Sequence, residues 1–264
     1  MHATAADGTR IAYETSGTGP PLILVDGALC YRASGPGRPL AAALAGRFRV
    51  VTYDRRGRGE SGGAAPFTID QEVADLAALI QAAGGEALVY GISSGAALAL
   101  EAADRGLPIT RLALYEAPFI VDGTREPVPA NYAAEMYRLL AAGKRGDAVR
   151  WFMRRGVGLP VFVVGMMRLM PAWPKLKGVA HTLPADVALT VEYQQATPLP
   201  AGRWQGVTMP TLVVAGGKSD EWMRNGMRAL ADVLPKAEHR TLDGQTHLVK
   251  PAALAPVLTE FYTG

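Results

Sequence analysis

The sequence predicts an α/β fold: a mostly parallel sheet with helices on both faces and one long helical insertion. Three observations carry this prediction. Short, uninterrupted apolar runs such as residues 22–25 recur along the chain, the pattern of strands covered on both faces. Segments with helical spacing lie between them, as βαβ units require. The alternation then lapses between Asp122 and Pro210, where prolines and large apolar side chains crowd together.

Residues 2–4 and 10–15 flank Asp7-Gly8 and read as a hairpin. Gly17-Thr18-Gly19-Pro20-Pro21 breaks the chain before the run at 22–25. Residues 49–53, 87–90, 111–115 and 211–215 repeat that bounded form, and 238–242 reads as a late strand. Residues 69–82 place Val73, Leu76, Ala77 and Ile80 on one helix face, with Asp70 and Glu72 in the first turn and Gly84-Gly85 past the end. Residues 96–104, 222–234 and 252–262 follow the same pattern. The insertion carries Trp151, Phe152, Met153, Phe162, Met166, Met167, Met170, Trp173 and Tyr193. Such residues either line an apolar pocket or form the segment's own core.

A chain of 264 residues, 49% hydrophobic and 19% charged, fits one ordinary globular domain with a substantial core. The net charge of +3 is small, and the arginine clusters (Arg55, Arg56, Arg58; Arg154, Arg155) are short. No basic helix or stacking-aromatic pattern accompanies them, which argues against a nucleic-acid partner. Cys30 is the only cysteine, so an internal disulfide and CxxC metal or redox sites are excluded. No secretory signal is visible. The most apolar stretch, residues 157–170, is interrupted by Gly158, Pro160, Gly165 and Arg168 and is too short to span a bilayer. The expectation is a cytoplasmic monomer or homodimer, without membrane span, metal or cofactor, acting on a hydrophobic small molecule.

Gly91-Ile92-Ser93-Ser94-Gly95 follows the apolar run 87–90 and opens a helix. This is Gly-x-Ser-x-Gly in the strand–turn–helix context that a nucleophile elbow needs. Small neighbours relieve so sharp a turn, and the helix N-terminus favours developing negative charge at Ser93. From this point the chain resembles the α/β-hydrolase family over most of its length. Residues 53–61, Tyr-Asp-Arg-Arg-Gly-Arg-Gly-Glu-Ser, resemble that family's Asp-x-Arg-Gly-x-Gly-x-Ser loop, 210–217 its late strand, and Gly244-Gln245-Thr246-His247 its histidine loop. The resemblance implies an α/β-hydrolase fold with an eight-stranded sheet and a helical cap after the sixth strand. Residues 1–121 and 205–264 would then form the core, and 122–204 the cap.

The resemblance implies His247 as general base, the last triad member in chain order. Two carboxylates compete for the acid that orients it. The usual position, counted from Pro210, falls on Ser219, and Asp220 is one residue later. Glu116 directly follows the strand at 111–115, and Tyr115-Glu116-Ala117-Pro118 resembles the acid site of a haloalkane dehalogenase subgroup. Glu116 is favoured over Asp220, because a carboxylate ending a buried strand needs a partner. The dehalogenase likeness stops there: their aspartate nucleophile and halide-binding tryptophan are replaced by Ser93 and Ser94, and acyl transfer suits a serine.

Family position assigns the backbone N–H groups of Ala28 and Ser94 to an oxyanion hole. Asp26-Gly27 stands where many relatives have His-Gly. Asp26 is read either as a turn residue bonded to backbone or as a substrate-site acid. Asp54 and its arginines read as a structural knot, with no phosphate-loop pattern around them. The leading function is hydrolysis of an ester, lactone or thioester of a hydrophobic small molecule. Carbon–carbon hydrolysis or a lyase reaction on the same fold, or a catalytically weak small-molecule binder or receptor, are the alternatives.

Overall fold

The computed structural model describes residues 1–264. Its strands are β1 (His2–Thr4), β2 (Arg10–Ser16), β3 (Pro21–Val25), β4 (Arg49–Tyr53), β5 (Ala87–Ile92), β6 (Ile109–Tyr115), β7 (Thr211–Gly216) and β8 (Ala237–Leu242). They form one eight-stranded sheet in the order β1-β2-β4-β3-β5-β6-β7-β8. β1 and β2 pair antiparallel, as do β2 and β4; all other pairings are parallel. The Asp7-Gly8 turn joins β1 to β2, with Gly8 in the left-handed region at φ 82°.

The two-residue period of a strand divides the central runs between two cores. Ile23, Val25, Val89, Leu112, Leu114, Val213 and Ala215 face one apolar cluster. Leu22, Leu24, Leu88, Tyr90, Ala113, Leu212 and Val214 face the other. Helices α2 (Ile69–Ala82), α3 (Ser94–Asp104) and α9 (Glu221–Val233) cover the first. Helices α1 (Gly37–Leu44) and α10 (Pro251–Thr263) cover the second through Leu40, Leu44, Leu254 and Leu258. Helix α2 begins on a capping box: the Thr68 hydroxyl accepts from the Gln71 N–H at 3.2 Å, and the Gln71 side chain accepts from the Thr68 N–H at 3.0 Å.

Between β6 and β7 the chain builds α4 (Tyr132–Ala141), α5 (Arg145–Trp151), α6 (Val161–Met167), α7 (Trp173–Val179) and α8 (Leu183–Thr190). Tyr132, Met136, Val149, Trp173 and Leu183 form a third core here, shared with Leu29 from the β3–α1 loop. The return toward β7 packs back on the main body. Trp204 stacks on Phe119 with ring centroids 5.8 Å apart, and Tyr193 packs against both rings.

Candidate active site

Ser93 stands between the end of β5 and the start of α3, with φ 58° and ψ −129°. A non-glycine residue held there stores roughly 1–3 kcal/mol of strain. Its N–H donates to the Tyr115 carbonyl at 2.9 Å, tying the turn to β6. The flanking glycines answer a packing demand. A Cβ on Gly91 would lie 2.5 Å from the Gly95 carbonyl oxygen, and one on Gly95 only 2.2 Å from that of Val25. Gly27 is pressed in the same way, since a Cβ there would meet Ser93 Cβ at 3.0 Å.

Glu116 lies directly beyond β6, itself in the left-handed region at φ 48°. Its carboxylate is fully buried. Oε1 accepts the Gly216 N–H at 2.7 Å, and Oε2 lies 2.8 Å from His247 Nδ1. The histidine loop is held from two sides: the Tyr115 hydroxyl donates to the Thr246 carbonyl at 2.7 Å, and the Lys218 N–H donates to the Gln245 carbonyl at 2.8 Å. Nδ1 is therefore occupied, which leaves Nε2 as the nitrogen free for other chemistry. Ser93 and His247 line one cavity, with no hydrogen bond between them. Asp220 lines the cavity too but makes no bond to His247; its carboxylate meets the Trp222 indole N–H at 3.4 Å at the start of α9. Ser219 is buried, and its hydroxyl has no partner.

Asp26 does not line this cavity. Its carboxylate turns toward the start of α1, where a Cβ on Gly35 or Gly37 would come within 2.8 or 2.9 Å of Oδ2. Burial pushes its pKa up to about 6, against the Gly37 N–H and the nearby Arg58 and Arg55. The substrate-site reading of Asp26 thus lacks a surface facing the cavity. Ser94 lines the cavity and Ala28 does not; the N–H of each is left free of backbone partners. Cys30 is partly buried beside Asp26, and burial pushes its thiol up to about 12.

One buried cluster escaped the sequence reading. Asp186, on α8, receives Arg55 on one oxygen and Arg58 on the other, both at 2.7 Å, and the Ser94 hydroxyl donates to it at 2.8 Å. Arg55 also pairs with Glu72, and Arg58 donates to the Gly27 carbonyl at 2.7 Å. Burial opposes both charges, yet Asp186 and Glu72 hold Arg55 above its ordinary range. Arg55 and Arg58 likewise hold Asp186 below its own against the same burial. The arginine-rich loop was visible as a motif, but Asp186 carried no signal, because its two arginines lie more than a hundred positions away. Asp54 accepts from the Arg32 N–H at 2.7 Å and the Glu60 N–H at 2.9 Å, the bonding of a structural knot.

The cavity measures about 270 Å³, small for a ligand site. Phe152, Leu159 and Trp222 supply apolar wall; Asp186, Gln194 and Lys218 supply polar wall. Of the large apolar residues between β6 and β7 singled out from the sequence, only Phe152 lines it. The other large apolar residues lie away from the cavity. Trp173 belongs to the third core, with Trp151, Met153 and Met167 packed against it, Tyr193 joins the main core, and Phe162, Met166 and Met170 are exposed. No helix is long and apolar enough to cross a membrane.

Residues 17–257 match the model of the alpha/beta hydrolase family. An alpha/beta hydrolase from Sphaerobacter thermophilus superposes with a TM-score of 0.91 at 50% identity, covering 99% of this chain and all of that one. The lipase LipV of Mycobacterium tuberculosis is 32% identical over 219 residues, 79% of this chain and 81% of the lipase. A putative non-heme bromoperoxidase, BpoC, of the same organism is 27% identical over 279 aligned positions, 96% of this chain and 97% of the relative. The sheet order, the serine at the β5–α3 turn and these matches together make the chain an enzyme of the alpha/beta hydrolase family.

Proposed function

We propose that this enzyme hydrolyses an ester, lactone or thioester of a small, largely apolar molecule through an acyl-enzyme on Ser93. The observation that carries this reading is the 2.8 Å contact between His247 Nδ1 and the buried Glu116, on a cavity shared with a strained serine. Glu116 fixes the imidazole so that Nε2 faces the reaction. Ser93 Oγ attacks the carbonyl carbon while Nε2 takes its proton, and the resulting oxyanion is met by the Ala28 and Ser94 N–H groups. The intermediate collapses as the imidazolium returns that proton to the departing alcohol or thiol. Water, deprotonated by His247, then attacks the acyl carbon; the acid leaves and Ser93 regains its proton.

The segment 122–204 acts in this reading as a cap over the core formed by 1–121 and 205–264. It contributes Tyr132, Phe152, Leu159 and Gln194 to the substrate space. Phe152, Leu159 and Trp222 meet the apolar part of the substrate, while Gln194 and Lys218 meet a polar end. The lipase name of a relative 32% identical agrees with a carboxylic ester. A fluorophosphonate should label Ser93 stoichiometrically, and Ser93→Ala should lower kcat on p-nitrophenyl esters by on the order of 10⁶-fold. An inert Ser93, with no turnover on any activated ester or thioester, would contradict acyl transfer.

A further inference from the structure

Five of the eight exposed large apolar side chains of the whole protein fall within ten residues: Val161, Phe162, Met166, Leu169 and Met170. Phe162, Met166, Leu169 and Met170 stand at i, i+4, i+7 and i+8, one face of α6 and the turn that continues it. The opposite face is already satisfied, for Val164 is buried and Met167 packs on the third core. Phe162 is 70% exposed and Leu169 86%. A cluster of this kind marks an interaction surface.

The charge around it is lopsided. Between Tyr132 and Ala180 there are nine Lys and Arg against two acids, a net +7 in a chain whose total is +3. The remainder therefore carries −4. Arg138 pairs with Glu135 and Arg150 with Asp147; the other seven cations have no carboxylate partner. Lys144, Arg145, Arg150, Arg168 and Lys177 gather around one open hollow of about 530 Å³. Arg168 joins the hollow to the apolar row, since it sits between Met166 and Leu169 in the chain. The apolar row also follows directly on Val157 and Leu159, which line the Ser93 cavity.

We infer that this face docks on an anionic phospholipid surface, with Phe162, Met166 and Leu169 entering the interface and the basic hollow receiving phosphate headgroups. A row of apolar tips beside lysines and arginines is the composition of an interfacial helix. A second copy of this chain would bring one +7 surface against another, which like-charge repulsion opposes. Docking here would set the cavity beside the bilayer from which an apolar substrate would arrive. The inference stands whether or not Ser93 forms an acyl-enzyme.

The test is co-sedimentation of the full chain with vesicles of phosphatidylcholine alone and of phosphatidylcholine mixed with phosphatidylglycerol, at low and high salt. Retention is expected on the mixed vesicles at low salt and should fall as salt rises. Arg168→Ala with Lys177→Ala should weaken it by about 25-fold, at roughly five-fold per cation near an anionic surface. Replacing Phe162, Met166 and Leu169 by Ser should abolish retention while leaving turnover of a soluble ester unchanged, which also shows that the variant is folded. No retention on the mixed vesicles at low salt would overturn the inference. Retention undiminished in the serine variant would also overturn it, pointing to a basic patch for an acidic protein. Self-association lost in that variant, without lipid binding, would assign the face to a second copy instead.

Discussion

Glu116 is a fully buried carboxylate with two donors. The Gly216 N–H and the His247 ring take one oxygen each, and without them a charge so buried would cost several kcal/mol. Glu116→Gln keeps an acceptor for Gly216 but presents the wrong partner to Nδ1, so kcat should fall by roughly 10⁴-fold. Asp220→Asn should change kcat only a few-fold, as its carboxylate meets Trp222 and not the ring. Steady-state rates on a soluble p-nitrophenyl ester decide between them, and the reverse order would transfer the role to Asp220. Asp26 makes a different prediction. Its pKa rises on folding from 3.8 to about 6, so the folded state holds the proton more tightly, and stability falls as pH rises through that window. Asp26→Asn removes this loss, worth up to about 3 kcal/mol. Urea unfolding at the two ends of the window should show a smaller decline in the variant; the slope left behind includes Asp75, which burial also pushes to about 6. Equal declines in both proteins would refute the assignment.

Two elements meet where the β4–α2 loop touches α8. Arg55 and Arg58 reach across to Asp186, and all three side chains are buried. Removing the carboxylate leaves buried Arg58 with no carboxylate partner and Arg55 with Glu72 alone, so Asp186→Ala should cost about 3–5 kcal/mol in urea unfolding. A loss within that of a surface substitution would mean water already screens the cluster. The elbow is a second such junction. Gly95→Ala puts a Cβ 2.2 Å from the Val25 carbonyl oxygen, so β3 and α3 must separate, with an expected loss of about 3 kcal/mol or more. Thermal unfolding measures it. Strands and helices with clean periodicity were legible to within two residues at each end: Ile69–Ala82 reads directly from Val73, Leu76 and Ile80. Helix α1 was not. It starts among Gly35, Pro36, Gly37 and Pro39, residues that signal a turn, and only the contact of Leu40, Ala41 and Leu44 with the second core holds it helical.

At the scale of the whole molecule, alternation within each strand sends side chains to two separate cores, and that division was readable from short apolar runs alone. The candidate site was readable where chemistry coincided with local geometry. Ser93 announces itself by flanking glycines and Glu116 by a charge directly after a buried strand, whereas His247 followed from the resemblance of its loop to that of the family. Contacts between distant segments left no local trace. Nothing near Asp186 indicates its two arginines, and nothing in the spacing of Trp173 or Phe162 tells a core side chain from an exposed one. The same limit explains why the cavity is more polar than its neighbouring sequence suggests: Lys218 arrives from the loop after β7, and Asp186 and Gln194 from α8 and the turn that follows it. Acyl transfer turns on one bond, formed between Ser93 Oγ and a substrate acyl carbon. Mixing the enzyme with a p-nitrophenyl ester, quenching in acid and mapping the peptides by mass should find the acyl group on the peptide containing Ser93, and none in Ser93→Ala. An acyl group on another residue, or undiminished hydrolysis by Ser93→Ala, would contradict it.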